Sequence, residues 1–326
     1  MNARVSLALR RSVGRSIAAD QLAADLRLPA RRLAAAVDEL GRLGFVIEMH
    51  PMLGLRLLGV PPALFEIEIA AGLPVSRIGR HVRCDGEVAS TNDLAWEIAA
   101  SGRPAADGLA VFAEHQTAGR GRRGSRWLSP PHASLLASIV LWVPDEPSYA
   151  AVLTRAAAVA TAEAIEACTS LKVGIKWPND LVVEDRKVGG ILVEAHPAAG
   201  EMGPVVIGIG VNCSQGPEAF PAEIRPAVAS LAMLGEEVDR TLLARSLLEH
   251  LDGLIARSAE PAGRDDIRRQ AVARCRTLGR RVTLAEGGTT STGEVIDLDP
   301  DYGLVLRLPE GGIRRFPAMT THVVAW

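Results

Sequence analysis

The chain is 326 residues long, 48% apolar and 23% charged, the balance of a folded globular protein rather than a fibrous or disordered one. With 36 Lys plus Arg against 38 Asp plus Glu, a formal charge of −2 offers no overall attraction to nucleic acid, and no apolar run reaches the roughly 18 residues of a membrane span. The four cysteines (Cys84, Cys168, Cys213, Cys275) lie far apart without a CxxC pair, which argues against a disulfide framework or a Cys/His metal centre. Arginines flank the short apolar stretch at the N-terminus and no small-residue cleavage pattern follows, so a reducing, cytoplasmic setting is expected.

The length predicts two or three domains. Residues 5–58 read as three short helices and a hairpin: Leu22 and Leu26, a break at Leu28–Pro29, then Leu33, Val37, Leu40 and Leu43, then the alternating FVIEMHPMLGLRLLG. That outline is a winged helix-turn-helix over residues 1–62, with Arg31, Arg32 and Arg42 as the candidate DNA-binding side chains. Residues 1–60 carry nine Arg against five Asp/Glu, a modest basic excess. Pro61–Pro62 opens a connector. RHVRCDGEVASTNDLAWEIAASG then predicts a strand, a Ser-Thr-Asn turn and a helix capped by Ser90 or Thr91. GLAVFAEHQTAGRGRRGSRW is a strand entering a glycine–arginine loop, and SLLASIVLWV is a buried strand. Ala150 to Cys168 is a long helix. VGIKWPNDLVVEDRKVGGILVEAH alternates strands and turns, PVVIGIGVNC is another apolar strand, and helices return from about Arg240 to Arg274. From Thr277 onward short strands with turns at Gly287–Gly288, Asp299–Asp301 and Gly311–Gly312 predict a small SH3-like β-barrel over 276–326. The fold class is therefore α+β, with a mixed-sheet domain over 63–275 between two small modules.

Only three residues are lysine, namely Lys172, Lys176 and Lys187, and all fall in one short segment. A chain that otherwise writes its cations as Arg keeps Lys there, which marks the segment for chemistry. Gly119-Arg120-Gly121-Arg122-Arg123-Gly124 matches the dinucleotide fingerprint by letter, but the motif runs into Ser-Arg-Trp-Leu-Ser-Pro-Pro and cannot open a helix. A Rossmann site is rejected. The remaining reading is a mobile loop whose guanidinium forks suit phosphate or carboxylate, ending at Trp127, which offers a face for stacking on a base. An exposed basic loop with Trp127 in the core is the alternative.

Taken in order, Ser90-Thr91-Asn92, AEHQTAGRGRRGSRW, KWPNDL, DRKVGGILVE and GIGVN resemble biotin–protein ligases, specifically the bifunctional bacterial kind that also represses transcription. The resemblance covers all three predicted domains and is most specific in the middle. It implies ATP and biotin as substrates with Mg2+, a biotin carrier protein as partner, possible operator DNA, and a homodimer in the adenylate-bound state. It assigns Ser90, Thr91, Asn92, Gln116 and Gly119 to biotin, with Gln116 and the Gly119 backbone at the ureido ring. Arg120, Gly121 and Arg122 would close over biotin and the adenylate phosphate, Arg120 and Arg122 counting with Lys187 as the catalytic set. Arg123 and Trp127 would address the nucleotide, and Lys187 the biotin carboxylate. Lys176, Asn179 and Asp180 would face the nucleotide and its Mg2+, held by Asp180. Gly189, Gly190 and Ile191 would line the pocket, with Asn212 near the nucleotide. Lipoate ligases share the fold, but only biotin presents a ureido group to the Ser-Thr-Asn and Gln116 set. A ligase with a non-DNA-binding N-terminal module is the remaining alternative, because α-helical LPARRLAAAVDELGRLGF offers no Asn or Gln for reading adenine.

Overall fold

The structure, a computed structural model, describes residues 2–100, 102, 106–144, 149–195, 202–299, 301, 303–318 and 320–325. His196 and Pro300, which end one predicted strand and sit in one predicted turn, lie outside them. Two compact units emerge, Met1–Leu73 and Pro74–Trp326.

In the first unit, helices α1 (Ala3–Arg10), α2 (Ala19–Asp25) and α3 (Ala30–Arg42) precede a hairpin of β2 (Val46–His50) and β3 (Gly54–Gly59). A short strand β1 (Ser16–Ile17) pairs with β3, giving the order β1-β3-β2. Pro29 stands at the N-cap of α3, and Leu33, Ala36, Val37 and Leu40 bury one stripe of it against Val5, Leu9, Leu22 and Leu57. Gly54 sits at φ +87 where the hairpin meets β1; a methyl group there would lie 2.0 Å from the Ile17 carbonyl oxygen. The unit extends past Pro61–Pro62 because helix α4 (Glu66–Ala70) returns to α1. There Glu68 accepts both fork bonds of Arg10 at 2.9 Å, with both side chains buried. Removing one partner of such a pair costs about 3–5 kcal/mol, because the other charge is stranded.

The second unit is built on a seven-stranded sheet of order β4-β5-β6-β10-β9-β8-β7. Its strands are β4 (Val82–Val88), β5 (Ala110–Gln116), β6 (Ser134–Pro144), β7 (Gly174–Lys176), β8 (Asp180–Val183), β9 (Arg186–Ala195) and β10 (Met202–Asn212). Among the described residues, only β4 and β5 of this sheet run parallel. Helix α5 (Thr91–Ala99) packs on one face through Ala95 and Ala99 against Val111, Val140 and Val206. Helix α6 (Tyr149–Cys168), alanine-rich so that it can approach closely, packs across β8 to β10, and α7 (Arg240–Arg257) and α8 (Pro261–Ala273) pack on it. Five antiparallel strands follow, β11 (Arg281–Glu286), β12 (Thr289–Leu298), β13 (Leu304–Arg307), β14 (Ile313–Phe316) and β15 (Thr321–Ala325), in the order β14-β13-β12-β11-β15. Their apolar core of Val282, Leu284, Val295, Leu304, Leu306 and Phe316 also takes in Trp177, from the loop after β7. Trp177 N–H donates to Thr277 Oγ1, and Ile175 exchanges backbone bonds with Arg274 and Arg276. The predicted central and C-terminal segments therefore share a core, which is why they form one compact unit.

Candidate active site

Strand alternation decides what faces α5. On β10, Val206, Gly208 and Gly210 point to that side; on β9 their partners are Glu194, Leu192 and Gly190. The glycines leave a hollow of about 280 Å³ over the sheet, bounded by the start of α5, the glycine–arginine loop, the turn between β7 and β8, and β15. A methyl group at Gly208 would stand 2.5 Å from Asn92 Oδ1, and one at Gly210 would stand 2.6 Å from the Trp127 ring. Two glycines spaced by two on one strand are thus required by what packs over them.

At the inner end is a buried polar network. Ser138 Oγ bridges Thr91 Oγ1 at 2.7 Å and Asn92 Oδ1 at 2.6 Å. Asn92 Nδ2 donates to Glu194 at 2.7 Å. Ser90 occupies the N-cap of α5 but its side chain makes no capping bond; Gln116 Oε1 does that work, accepting from Thr91 N–H at 2.7 Å and from Thr91 Oγ at 3.0 Å. The expected local cap is replaced by one from a neighbouring strand, which also orients Gln116.

Farther along lie two of the three lysines. Lys187 Nζ sits 2.6 Å from Asp180 and 5.6 Å from the centre of the Trp127 ring. Lys176 is half-buried, and that burial pushes its ammonium below the usual lysine value, with Asp180 opposing the shift. Lys172 is exposed and lies outside the cavity. The Trp127 indole N–H is buried with no acceptor among the described residues, a donor left for something that enters the hollow.

The glycine–arginine loop makes one short turn, Arg122–Gly124, with Arg123 at φ +58, and no helix opens from it. Arg120 grips Asp93 with a fork of 2.6 and 2.7 Å and lies 3.6 Å from Glu194. Hydrogen bonding to Asp93 holds its guanidinium above the ordinary arginine value. On the other side, Arg122 donates to the Ala318 carbonyl and Arg123 to the Thr320 carbonyl, while Arg123 also meets His322.

Fifteen of the residues singled out from sequence line this one hollow: Ser90, Thr91, Asn92, Gln116, Arg120, Gly121, Arg122, Arg123, Trp127, Lys176, Asn179, Asp180, Lys187, Gly190 and Ile191. Gly119 and Gly189 stand one step behind, in close approaches to the Trp127 and Gly210 carbonyl oxygens, 2.8 Å from where a methyl would be in each case. Asn212 is buried outside the residues that line the hollow, donating to the Ala229 carbonyl and accepting from Gln215. Asp180 lines the hollow and pairs with Lys187 at 2.6 Å, and no group of three or more His, Cys, Asp or Glu that could hold a metal by protein ligands alone occurs among the described residues. Arg31, Arg32 and Arg42 are exposed on α3 in the other unit. Sequence reasoning missed Ser138, Asp93, Glu194, Gly208, Gly210 and His322. Three of these had a signal: Ser138 interrupts an otherwise apolar run, and Gly208 and Gly210 repeat on one strand face.

A model of the biotin/lipoate A/B protein ligase family matches residues 87–212. The Bacillus spizizenii bifunctional ligase/repressor BirA is 36% identical over 214 residues, covering 65% of this chain and 65% of that relative, so the chain spans just under two thirds of its length. The biotin–[acetyl-CoA-carboxylase] ligase of Mycobacterium tuberculosis is 37% identical over 229 residues, 68% of this chain and 80% of the relative. Among solved structures, a mutant biotin protein ligase from Aquifex aeolicus in complex with biotin superposes with a TM-score of 0.64 at 25% identity, over 76% of this chain and 99% of that one. On the match to four fifths of the mycobacterial relative, together with the site just described, the chain belongs to the biotin/lipoate A/B protein ligase family.

Proposed function

We propose that this chain is an ATP-dependent biotin–protein ligase. Biotin's carboxylate attacks the α-phosphorus of ATP to give biotinyl-5′-adenylate and pyrophosphate; the ε-amine of a carrier-protein lysine then attacks the acyl carbon and displaces AMP. The observation that carries this reading is the two-ended hollow. One end is a buried network of Thr91, Asn92, Gln116 and Ser138, suited to a polar ring; the other holds Lys187 and Lys176, suited to anions. Bringing a carboxylate to a triphosphate sets two anions together, and cations fixed there beforehand lower the barrier because they need not reorganise. Lys187, Lys176 and Arg122 supply that charge, and Trp127 and Asn179 bound the nucleotide. No protein nucleophile is required. Mg2+ would arrive with ATP as part of the substrate, and Asp180, beside Lys187, is the carboxylate that would face it.

The ureido group separates biotin from lipoate. A site with buried partners for it rejects an analogue lacking it by about 10⁴–10⁵-fold. Incubation with ATP, a biotin-acceptor domain and either acid, assayed by mass, tests the assignment. Equal modification by lipoate would remove it.

A second reading concerns the first unit, for which we propose a winged helix-turn-helix form, with an SH3-like barrel for the last five strands. Helix α3 buries Leu33, Val37 and Leu40 and leaves Arg31, Arg32 and Arg42 exposed, which supports phosphate contact. The ligase/repressor name of the Bacillus relative points the same way. A gel shift on the promoter of the organism's biotin-synthesis genes, with and without biotin and ATP, tests repression. No shift in either condition leaves a ligase alone. Self-association of the adenylate-bound form, implied by the same likeness, is tested by sedimentation. No helix among the described residues is long and apolar enough to cross a membrane.

A further inference from the structure

We propose that the Gly119–Gly124 loop is a strap pinned at both ends, and that Asp93 and His322 are the positioning residues that hold it across the mouth of the hollow. The proposal deepens the ligase reading and rests on it. At the near end, Arg120 is held in a two-bond fork by Asp93, with Glu194 behind it. Asp93 directly follows Thr91 and Asn92, so the helix turn that forms the inner end of the hollow also carries the anchor. At the far end, Arg122 and Arg123 reach the carbonyls of Ala318 and Thr320, and Arg123 meets His322, itself a lining residue on β15. The strap thus runs from α5 to the C-terminal sheet. None of residues Arg122–Gly124 is buried, so no apolar contact anchors the part of the loop that reaches the C-terminal sheet. Its own backbone closes on itself, Gly121 N–H donating to the Ser125 carbonyl at 2.7 Å and Trp127 N–H to the Gly119 carbonyl at 2.9 Å, and polar side-chain contacts on either side fix where that turn lies.

That construction suits an enzyme that must keep a reactive acyl phosphate from water and still admit a lysine. An apolar plug would hold more tightly and open more slowly. Ion pairs exposed at the rim are individually weak, so the strap can open for a carrier without a large barrier. Arg120 thus lines the hollow while its guanidinium is held from outside by Asp93.

The test compares full-length wild type, Asp93→Asn, Asp93→Glu and His322→Ala. Each is loaded with labelled biotin and ATP; the pyrophosphate burst is recorded first, then release of labelled adenylate after rapid desalting. Asp93→Asn should keep the burst within about twofold and release adenylate about 2–5-fold faster, the loss of one rim ion pair. Asp93→Glu should restore most of the retention, which a merely structural role would not require. His322→Ala should loosen the far end and accelerate release as well, and it carries the comparison should Asp93→Asn fail to fold. Normal bursts followed by wild-type or slower release in both variants overturn the strap alone; slower release would mean Asp93 competes with the ligand for Arg120. A wild-type chain with no burst overturns the strap and the ligase reading together.

Discussion

The floor of the hollow and the strap above it are made of opposite materials. The floor is backbone and small residues: Gly190, Gly208 and Gly210 on paired strands, with Ser138 and Asn92 buried and bonded to each other, to Thr91 and to Glu194. The strap is exposed arginine between glycines, held by ion pairs and carbonyls at its rim. A floor of this kind sets distances to tenths of an ångström, because interiors are close-packed and strands cannot drift. A rim of this kind sets occupancy, since each contact is weak and reversible. Binding and charge placement should therefore fail steeply when the floor is altered, while changes in the strap should alter retention.

The largest expected effect is at the floor's charged end. Lys187→Ala should slow adenylate formation by about 10²–10³-fold, the usual loss of one preorganised donor, with the fold unchanged by circular dichroism. A pyrophosphate release rate within threefold of wild type would instead take Lys187 out of the mechanism. Next comes Gly208→Ala, whose methyl must displace the Asn92 side chain from 2.5 Å. Overpacking of this sort costs about 1–3 kcal/mol, so biotin affinity by calorimetry should fall roughly tenfold. Unaltered affinity would show that Asn92 does not shape the site. For the strap, Arg122→Gly should leak adenylate, read as labelling of bystander proteins added to the reaction, and tight retention in that variant would break the contrast between the two regions.

The smallest effect concerns Lys176. Its ammonium is depressed by burial, so the folded state disfavours the charged form. The resulting cost is present below the folded-state pKa and is relieved as pH rises through it toward the ordinary lysine value. Lys176→Met removes the cost, so the variant should melt higher than wild type near neutrality, and the gap should narrow at alkaline pH. A gap that widens with pH contradicts the sign.

Much of the fold was legible because its signals are local. The heptad-like spacing of Leu33, Val37 and Leu40 marks α3, the proline- and glycine-free alanine run marks α6, and alternating runs with glycine turns mark the last five strands. The hollow's lysines stood out because the chain has so few. Other features were not local. Gln116 capping α5 in place of Ser90 joins residues 25 apart, and Ser138 reaches Asn92 across 46. Asn212 closes GIGVN, and its bond to the Ala229 carbonyl joins it to a later loop that no spacing rule foresees.

The amino-acid sequence by itself determined most of the element order (though not β1 or α4), the rejection of a Rossmann turn and the chemical inventory of the site, since periodicity, turn residues and rare lysines are properties of neighbours along the chain. Only the tertiary structure decided which of those groups are committed elsewhere. Trp177 became core for the C-terminal sheet, Asp180 became the partner of Lys187, and Arg120 was taken by Asp93. The physical reason is that a side chain's availability depends on what satisfies its charge or hydrogen bonds, and those partners are brought in by strand pairing and helix packing across the whole unit.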